Sequence, residues 1–143
     1  MTEISFHFNV PDRTAYACRL LRKALRKGAK IVVTGAPPVL ADLDRALWSF
    51  DPLEFVPHVT LRPGQELAQR LRTTPVWLTA DLAQAGHRDV LVNLHDEAPA
   101  GFESFARVIE IVSSDEHDRT TARQRWKHYA TRGYAIERHE VAS

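Results

Sequence analysis

The chain predicts an α/β fold: one three-layer α/β/α domain over residues 1–143, Rossmann-like, with a mostly parallel, mixed sheet. Three observations predict it. Segments with strand periodicity alternate with amphipathic helical segments, the order that builds parallel sheets. One strand candidate, Lys30 to Gly35, reads as buried, as a strand covered by helices on both faces must be. A length of 143 residues with 44% hydrophobic content suffices for one well-buried core and is short for two ordinary domains.

The elements follow in order. Ile4, Phe6, Phe8 and Val10 alternate with Ser5, His7 and Asn9, a period-two strand with those four apolar side chains on one face. Thr14 to Lys27 carries Ala17, Leu20, Leu21, Ala24 and Leu25 on one side and Arg19, Arg22, Lys23, Arg26 and Lys27 on the other, and Gly28 ends that helix. Lys30 to Gly35 reads as a buried strand, with Gly35 a turn residue. Pro37-Pro38 opens a second helix through Leu40, Leu43, Ala46, Leu47 and Trp48. Phe55 to His58, Pro75 to Ala80, Asp89 to Leu94 and Arg107 to Val112 are further strand candidates, and Tyr134 to Val141 can add an edge strand. Val59 to Thr74, which includes Arg62-Pro-Gly-Gln65, has no periodicity and reads as a mobile loop. The last helix spans Ser114 to Arg132. Ser113 with Glu116 forms a capping box, acidic residues lie at its positive end, and Gly133 stops it.

Composition and motifs exclude most function classes. A formal net charge of +1 drives no global attraction to nucleic acid, so any anionic partner must be met by local clustering. No apolar run reaches the roughly 20 residues that cross a bilayer, and MTEISFHFNV lacks the parts of a signal peptide, so a cytoplasmic location is expected. Neither a Gly-x-Gly-x-x-Gly turn nor a phosphate loop follows any strand, and no cofactor is expected. Seven histidines show no metal-ligand spacing. The single cysteine, Cys18, sits in the apolar stripe of the first helix and reads as core.

One feature of the last helix stands apart. Arg119, Arg123 and Lys127 recur every four residues with Trp126 beside them, and at about 100° per residue they share roughly a third of the circumference. Two readings are open. A basic helix face is commonly just solvated, yet an indole among fixed cations suits an aromatic side chain and a carboxylate arriving together.

Leu43-Asp-x-Ala-Leu-Trp48 followed by Phe55-Val-Pro-His58, and Ala122-Arg-x-Arg-Trp-Lys127 with Tyr129 and Gly133, resemble the chi subunit family of bacterial DNA polymerase III holoenzyme, accessory proteins of the clamp-loader assembly. Members often carry tyrosine where this chain has Trp126. Weaker similarity, at Cys18, Lys30 to Val33 and Pro75-Val76, extends over nearly the whole chain, while Val59 to Thr74 departs from the pattern. The resemblance implies a non-catalytic adaptor in DNA replication that binds the acidic C-terminal tail of single-stranded DNA-binding protein and contacts DNA only indirectly. Carried over by position, Val112, Arg119, Arg123, Trp126 and Lys127 would form the tail pocket, with Arg123 on the terminal carboxylate, Trp126 and Val112 on the ring, and Arg119 and Lys127 flanking.

It also implies that Trp48 and Phe55 face the psi subunit, or a helicase competing for that surface. Helical periodicity alone puts Trp48 equally well in the core edge. The competing classes are a direct nucleic-acid-binding module of replication or repair, which would need an extended basic groove with stacking aromatics, and an enzyme, for which no constellation is present.

Overall fold

Among the described residues, seven strands and three α-helices follow in order, alternating at first and then giving four strands in succession before the last helix: β1 (Glu3–Val10), α1 (Arg13–Arg26), β2 (Ile31–Thr34), α2 (Pro37–Ser49), β3 (His58–Leu61), β4 (Val76–Thr79), β5 (Val90–Asn93), β6 (Arg107–Ser113), α3 (Glu116–Thr131) and β7 (Ile136–Glu140). The computed structural model describes residues 2–49, 55–61, 71 and 73–141. Its sheet order is β3-β4-β2-β5-β6-β1-β7. Every pairing is parallel, so the antiparallel component of the expected mixed sheet is not among the described strands.

The layers follow from side-chain parity. Ile31, Val33, Val76, Leu78, Val92, Ile109 and Ile111 pack under α1 and α2. Their neighbours Val32, Trp77, Leu91, Val108 and Val112 share the other core with Ala122 and Tyr129 of α3. Strands buried on both faces carry apolar residues at consecutive positions, which is why they read as runs. Cys18 is buried in the first of these cores, and its thiol is pushed up to about 11, chiefly by burial and further by Asp12. A thiol so reluctant to ionise is a poor nucleophile.

Three local expectations are corrected. Pro57 has no N–H to give a ladder, so the strand expected at Phe55 to His58 begins only at His58 and runs to Leu61. Val59 to Leu61, expected in the loop, are therefore strand, while residues 62–70 and 72 of that loop lie outside the described residues. Asp115, not Ser113, is the N-cap of α3 and accepts from Asp118 N at 3.3 Å. Ser113 still belongs to β6 and donates to the Asp118 carboxylate at 2.6 Å instead. Gly35 lies in the connection between β2 and α2, where a Cβ would make a tight contact, 3.2 Å from that of Leu94. Gly133, at φ 82, ends α3 as expected.

The alternation in β1 also breaks. Asn9 adopts φ 63 and the β1–β6 register shifts between His7 and Val10. This bulge turns Val10 into the α1–α2 core, whereas Ile4 and Phe6 stay on the α3 side. Asparagine tolerates the left-handed conformation that most side chains resist.

Helix α3 is locked to the sheet by a buried polar cluster. Arg125 Nε donates to Glu110 Oε1 at 2.9 Å, and the two side chains are 4% and 0% exposed. Tyr129 Oη donates to Glu110 Oε2 at 2.6 Å, and Asn93 Nδ2 donates to the same oxygen at 2.9 Å. Arg125 also reaches the Asp96 carbonyl and Thr121 Oγ1, both at 3.1 Å. Burial pushes the Glu110 carboxyl up, against the pull of Arg125, Tyr129 and Asn93 toward the ionised form.

Removing one partner of such a cluster strands the other. Glu110→Ala is expected to lower unfolding free energy by about 3–5 kcal/mol in urea titrations, because the Arg125 charge and the Tyr129 hydroxyl lose their shared acceptor. At the bulge, Asn9→Val is expected to cost about 1–2 kcal/mol and Asn9→Gly less than about 1 kcal/mol, read by the same titrations.

Candidate functional site

With Ala122, Arg125 and Tyr129 buried against the sheet, the rest of α3 has its direction fixed. Taking Arg119 as origin, Trp126 lies about 20° to one side and Arg123 about 40° to the other, while Lys127 is about 80° round. The first three therefore stand at the border between the buried face and solvent.

A cleft of about 690 Å³ opens at that border. Phe6, Phe8 and Asn9 of β1 line it below, Val112, Ser113 and Ser114 at the end of β6, Arg119, Ala122, Arg123 and Trp126 along α3, and Arg138 and Glu140 along β7. Trp126 is half-buried, its ring 5.1 Å from that of Phe6 at 55°. Val112 is buried at the base. Arg119 and Arg123 are exposed, and among the described residues neither has a carboxylate partner. The acid nearest them in sequence is already engaged: Asp118 pairs with Arg13 at 3.0 Å and accepts from Ser113. Burial alone would raise the Asp118 carboxyl, but the Ser113 hydroxyl and Arg13 outweigh it and hold it below its usual range. Asp118 is thereby tied up with Arg13.

Of the five residues singled out for this site, the fold brings Val112, Arg119, Arg123 and Trp126 to one cleft. Lys127 is exposed on the same helix but outside the cleft wall. Sequence reasoning missed Phe6, Phe8, Arg138 and Glu140. The period-two pattern of β1 marked the two phenylalanines as one face. The register that sets Phe6 opposite Arg138 and Phe8 opposite Glu140 has no signal within β7 itself.

A second feature lies where α2 ends. Trp48 and Phe55 are 65% and 49% exposed, and their rings stack at 4.8 Å and 34°. Trp48 is thus not core. The His58 ring lies 5.5 Å from Trp48 and 5.6 Å from Phe55. Its side chain is only 1% exposed, with Nδ1 2.7 Å from the Val56 carbonyl and Nε2 2.9 Å from Asp44 Oδ1. Asp44 and His58 of the sequence motif therefore hold the segment carrying Phe55 against α2.

Among the described residues, no helix is long and apolar enough to cross a membrane, and no group of three or more His, Cys, Asp or Glu could hold a metal ion.

Comparison with known proteins agrees with this reading of the motifs. The chain is similar to the DNA polymerase III subunit chi of Pseudomonas aeruginosa, 33% identical over 99% of this chain and 98% of that one. It is also similar to that of Haemophilus influenzae, 31% identical over 87% of this chain and 85% of the other. Among solved structures, the C-terminal domain of S. cerevisiae Dbp5 superposes with a TM-score of 0.59 at 12% identity, covering 98% of this chain and 90% of that one, a likeness of fold alone. The model of the family described as DNA polymerase III chi subunit, HolC, matches residues 1–137, and the chain belongs to that family of replication accessory subunits.

Proposed function

We propose that the α3 cleft receives the acidic, aromatic-ended C-terminal tail of single-stranded DNA-binding protein. On this reading the protein is a non-catalytic adaptor linking that protein to the clamp-loader assembly. The observation that carries it is the pair Arg119 and Arg123, without carboxylate partners among the described residues, on the rim of a cleft floored by Phe6, Phe8, Val112 and Trp126. Unspent guanidinium charge beside an apolar floor suits one ligand chemistry above others: an aromatic ring joined to carboxylates. Arg123 takes the terminal carboxylate, Trp126 and Val112 take the ring, and Arg119 meets upstream acids. Lys127, outside the wall, adds only attraction at a distance.

The magnitudes fit a weak, reversible contact. Burying one phenyl ring contributes about 1.5–3 kcal/mol and each charge-assisted hydrogen bond about as much, before the cost of ordering a flexible tail. A total near 8 kcal/mol corresponds to a micromolar Kd. The cleft volume is in the range of ordinary ligand sites.

The exposed Trp48–Phe55 stack is the second docking surface, for the psi subunit or for a helicase competing with it. A large aromatic pair held clear of the core by His58 and Asp44 is the kind of anchor that dominates interface energies.

Fluorescence anisotropy with a labelled tail peptide tests the first surface. Saturable micromolar binding is expected, weakened at least tenfold by Arg123→Glu and by deleting the peptide's terminal phenylalanine. Equal binding of a scrambled acidic peptide would reduce the cleft to a nonspecific cation patch. For the second surface, Phe55→Ala is expected to diminish co-purification of a psi-like partner while leaving peptide affinity within about twofold. Loss of both would mean misfolding rather than a lost contact.

A further inference from the structure

The cleft has a second wall that the α3 stripe does not supply. Arg138 projects from β7 with its guanidinium carbon 5.2 Å from the Phe8 ring centroid and 6.0 Å from that of Trp126. It is exposed, lines the cleft, and among the described residues has no carboxylate partner. A guanidinium lying over aromatic rings uses its faces for those contacts and keeps its N–H edge for a planar anion. The rings also restrict its rotamers, so less order remains to be imposed when a ligand arrives.

Glu140, two residues along the same strand, lines the cleft as well. It disfavours further ligand carboxylates on the β7 side, leaving the α3 side, with Arg119, for the acids that precede the terminus. In a C-terminal phenylalanine the carboxylate carbon is separated from the ring by only two carbons, so it lies within about 4 Å of it. A ring seated on Phe6, Phe8 and Trp126 therefore brings the chain terminus, rather than an upstream side chain, to the cation stacked on that floor.

Resting on the tail-binding reading above, the geometry points to Arg138 as a specificity-determining residue that recognises a free C-terminal carboxylate from the β7 wall, opposite Arg123 on α3. Two guanidinium groups from different elements then converge on one carboxylate. An internal phenylalanine, or an amidated end, offers nothing to the second of them. The site thereby distinguishes a chain end from an acidic-aromatic segment within a chain.

The test compares two labelled peptides of the same tail sequence, one with a free and one with an amidated C-terminus, against the full chain as wild type, Arg138→Ala and Arg138→Lys. Wild type is expected to prefer the free end by at least about tenfold. Arg138→Ala is expected to lose most of that preference by weakening the free peptide alone, with the amidated peptide's Kd within about twofold of wild type. Arg138→Lys, which keeps charge but not the planar fork, is expected to recover only part of the preference. Equal weakening of both peptides by Arg138→Ala, or an unchanged preference, would overturn the role of Arg138 and leave the tail reading standing. Failure of wild type to bind either peptide would overturn the tail reading and this inference with it. Arg138 is exposed on an edge strand, and the amidated peptide serves as the internal control for folding in each variant.

Discussion

The buried pair Glu110–Arg125 decides which way α3 faces, and almost everything on the outside of the molecule depends on that direction. Transferring two charges into a core is expensive, and such pairs commonly add little net stability. What this one supplies is an orientation. Turning α3 by one residue, about 100°, would remove both Arg125 and Tyr129 from Glu110 and leave a buried carboxylate with Asn93 alone. The helix is held in the single setting that puts Arg119, Arg123 and Trp126 along the cleft. The capping of α3 by Asp115 and the Arg13–Asp118 pair fix its position along the axis. Two polar devices thus position the cleft, and only the second touches its wall, where Ser113 donates to Asp118.

This arrangement explains where the sequence was legible and where it was not. Element order, both helix faces and the cation stripe were readable because each is a local pattern with its own period. Arg123 and Arg125 show the limit. They are the same residue type two positions apart on a basic helix, yet one faces the cleft and the other is sealed in the core. The deciding residue, Glu110, is alone among apolar neighbours in β6, fifteen positions away. A lone glutamate in a strand that reads as buried was the available signal for a buried partner. The flip of Val10 is of another kind: a single residue in a left-handed conformation, Asn9, reverses strand parity, and no periodicity analysis registers it. Trp48 was ambiguous in the sequence because it directly follows Leu47 in an apolar pattern. The fold buries Leu40, Leu43 and Leu47, and at about 100° per residue Trp48 falls to one side of that stripe.

The cleft also differs in construction from the nucleotide crevice of a Rossmann-like sheet. Open parallel sheets offer ligands a crevice beyond the carboxyl ends of the strands, usually with a glycine-rich turn and a helix N-terminus pointing at phosphate. Here the corresponding helix start carries Asp115, Glu116 and Asp118, which repel an anion from that position. The opening has moved sideways instead, along α3 and past the β1 bulge to the edge strand β7. The wall so formed has exposed guanidinium groups and an aromatic floor in place of backbone amides.

The two candidate docking surfaces stand at opposite corners of the sheet. The cleft uses β7 and β1 at one edge and the carboxyl ends of β1 and β6. Trp48 and Phe55 sit beside the start of β3, the opposite edge, and because all strands run the same way this is the other end of the strand direction too. Six strand spacings of about 4.8 Å separate the edges, roughly 29 Å. The adaptor role proposed above needs two partners held at once without competition, and a parallel sheet closed in on both faces is stiff enough to fix their separation. On the reading proposed above, competition between partners would be confined to ligands of the same surface. A helicase and psi would exclude each other at Trp48 and Phe55, while the cleft at the far edge would remain open to a tail in either assembly.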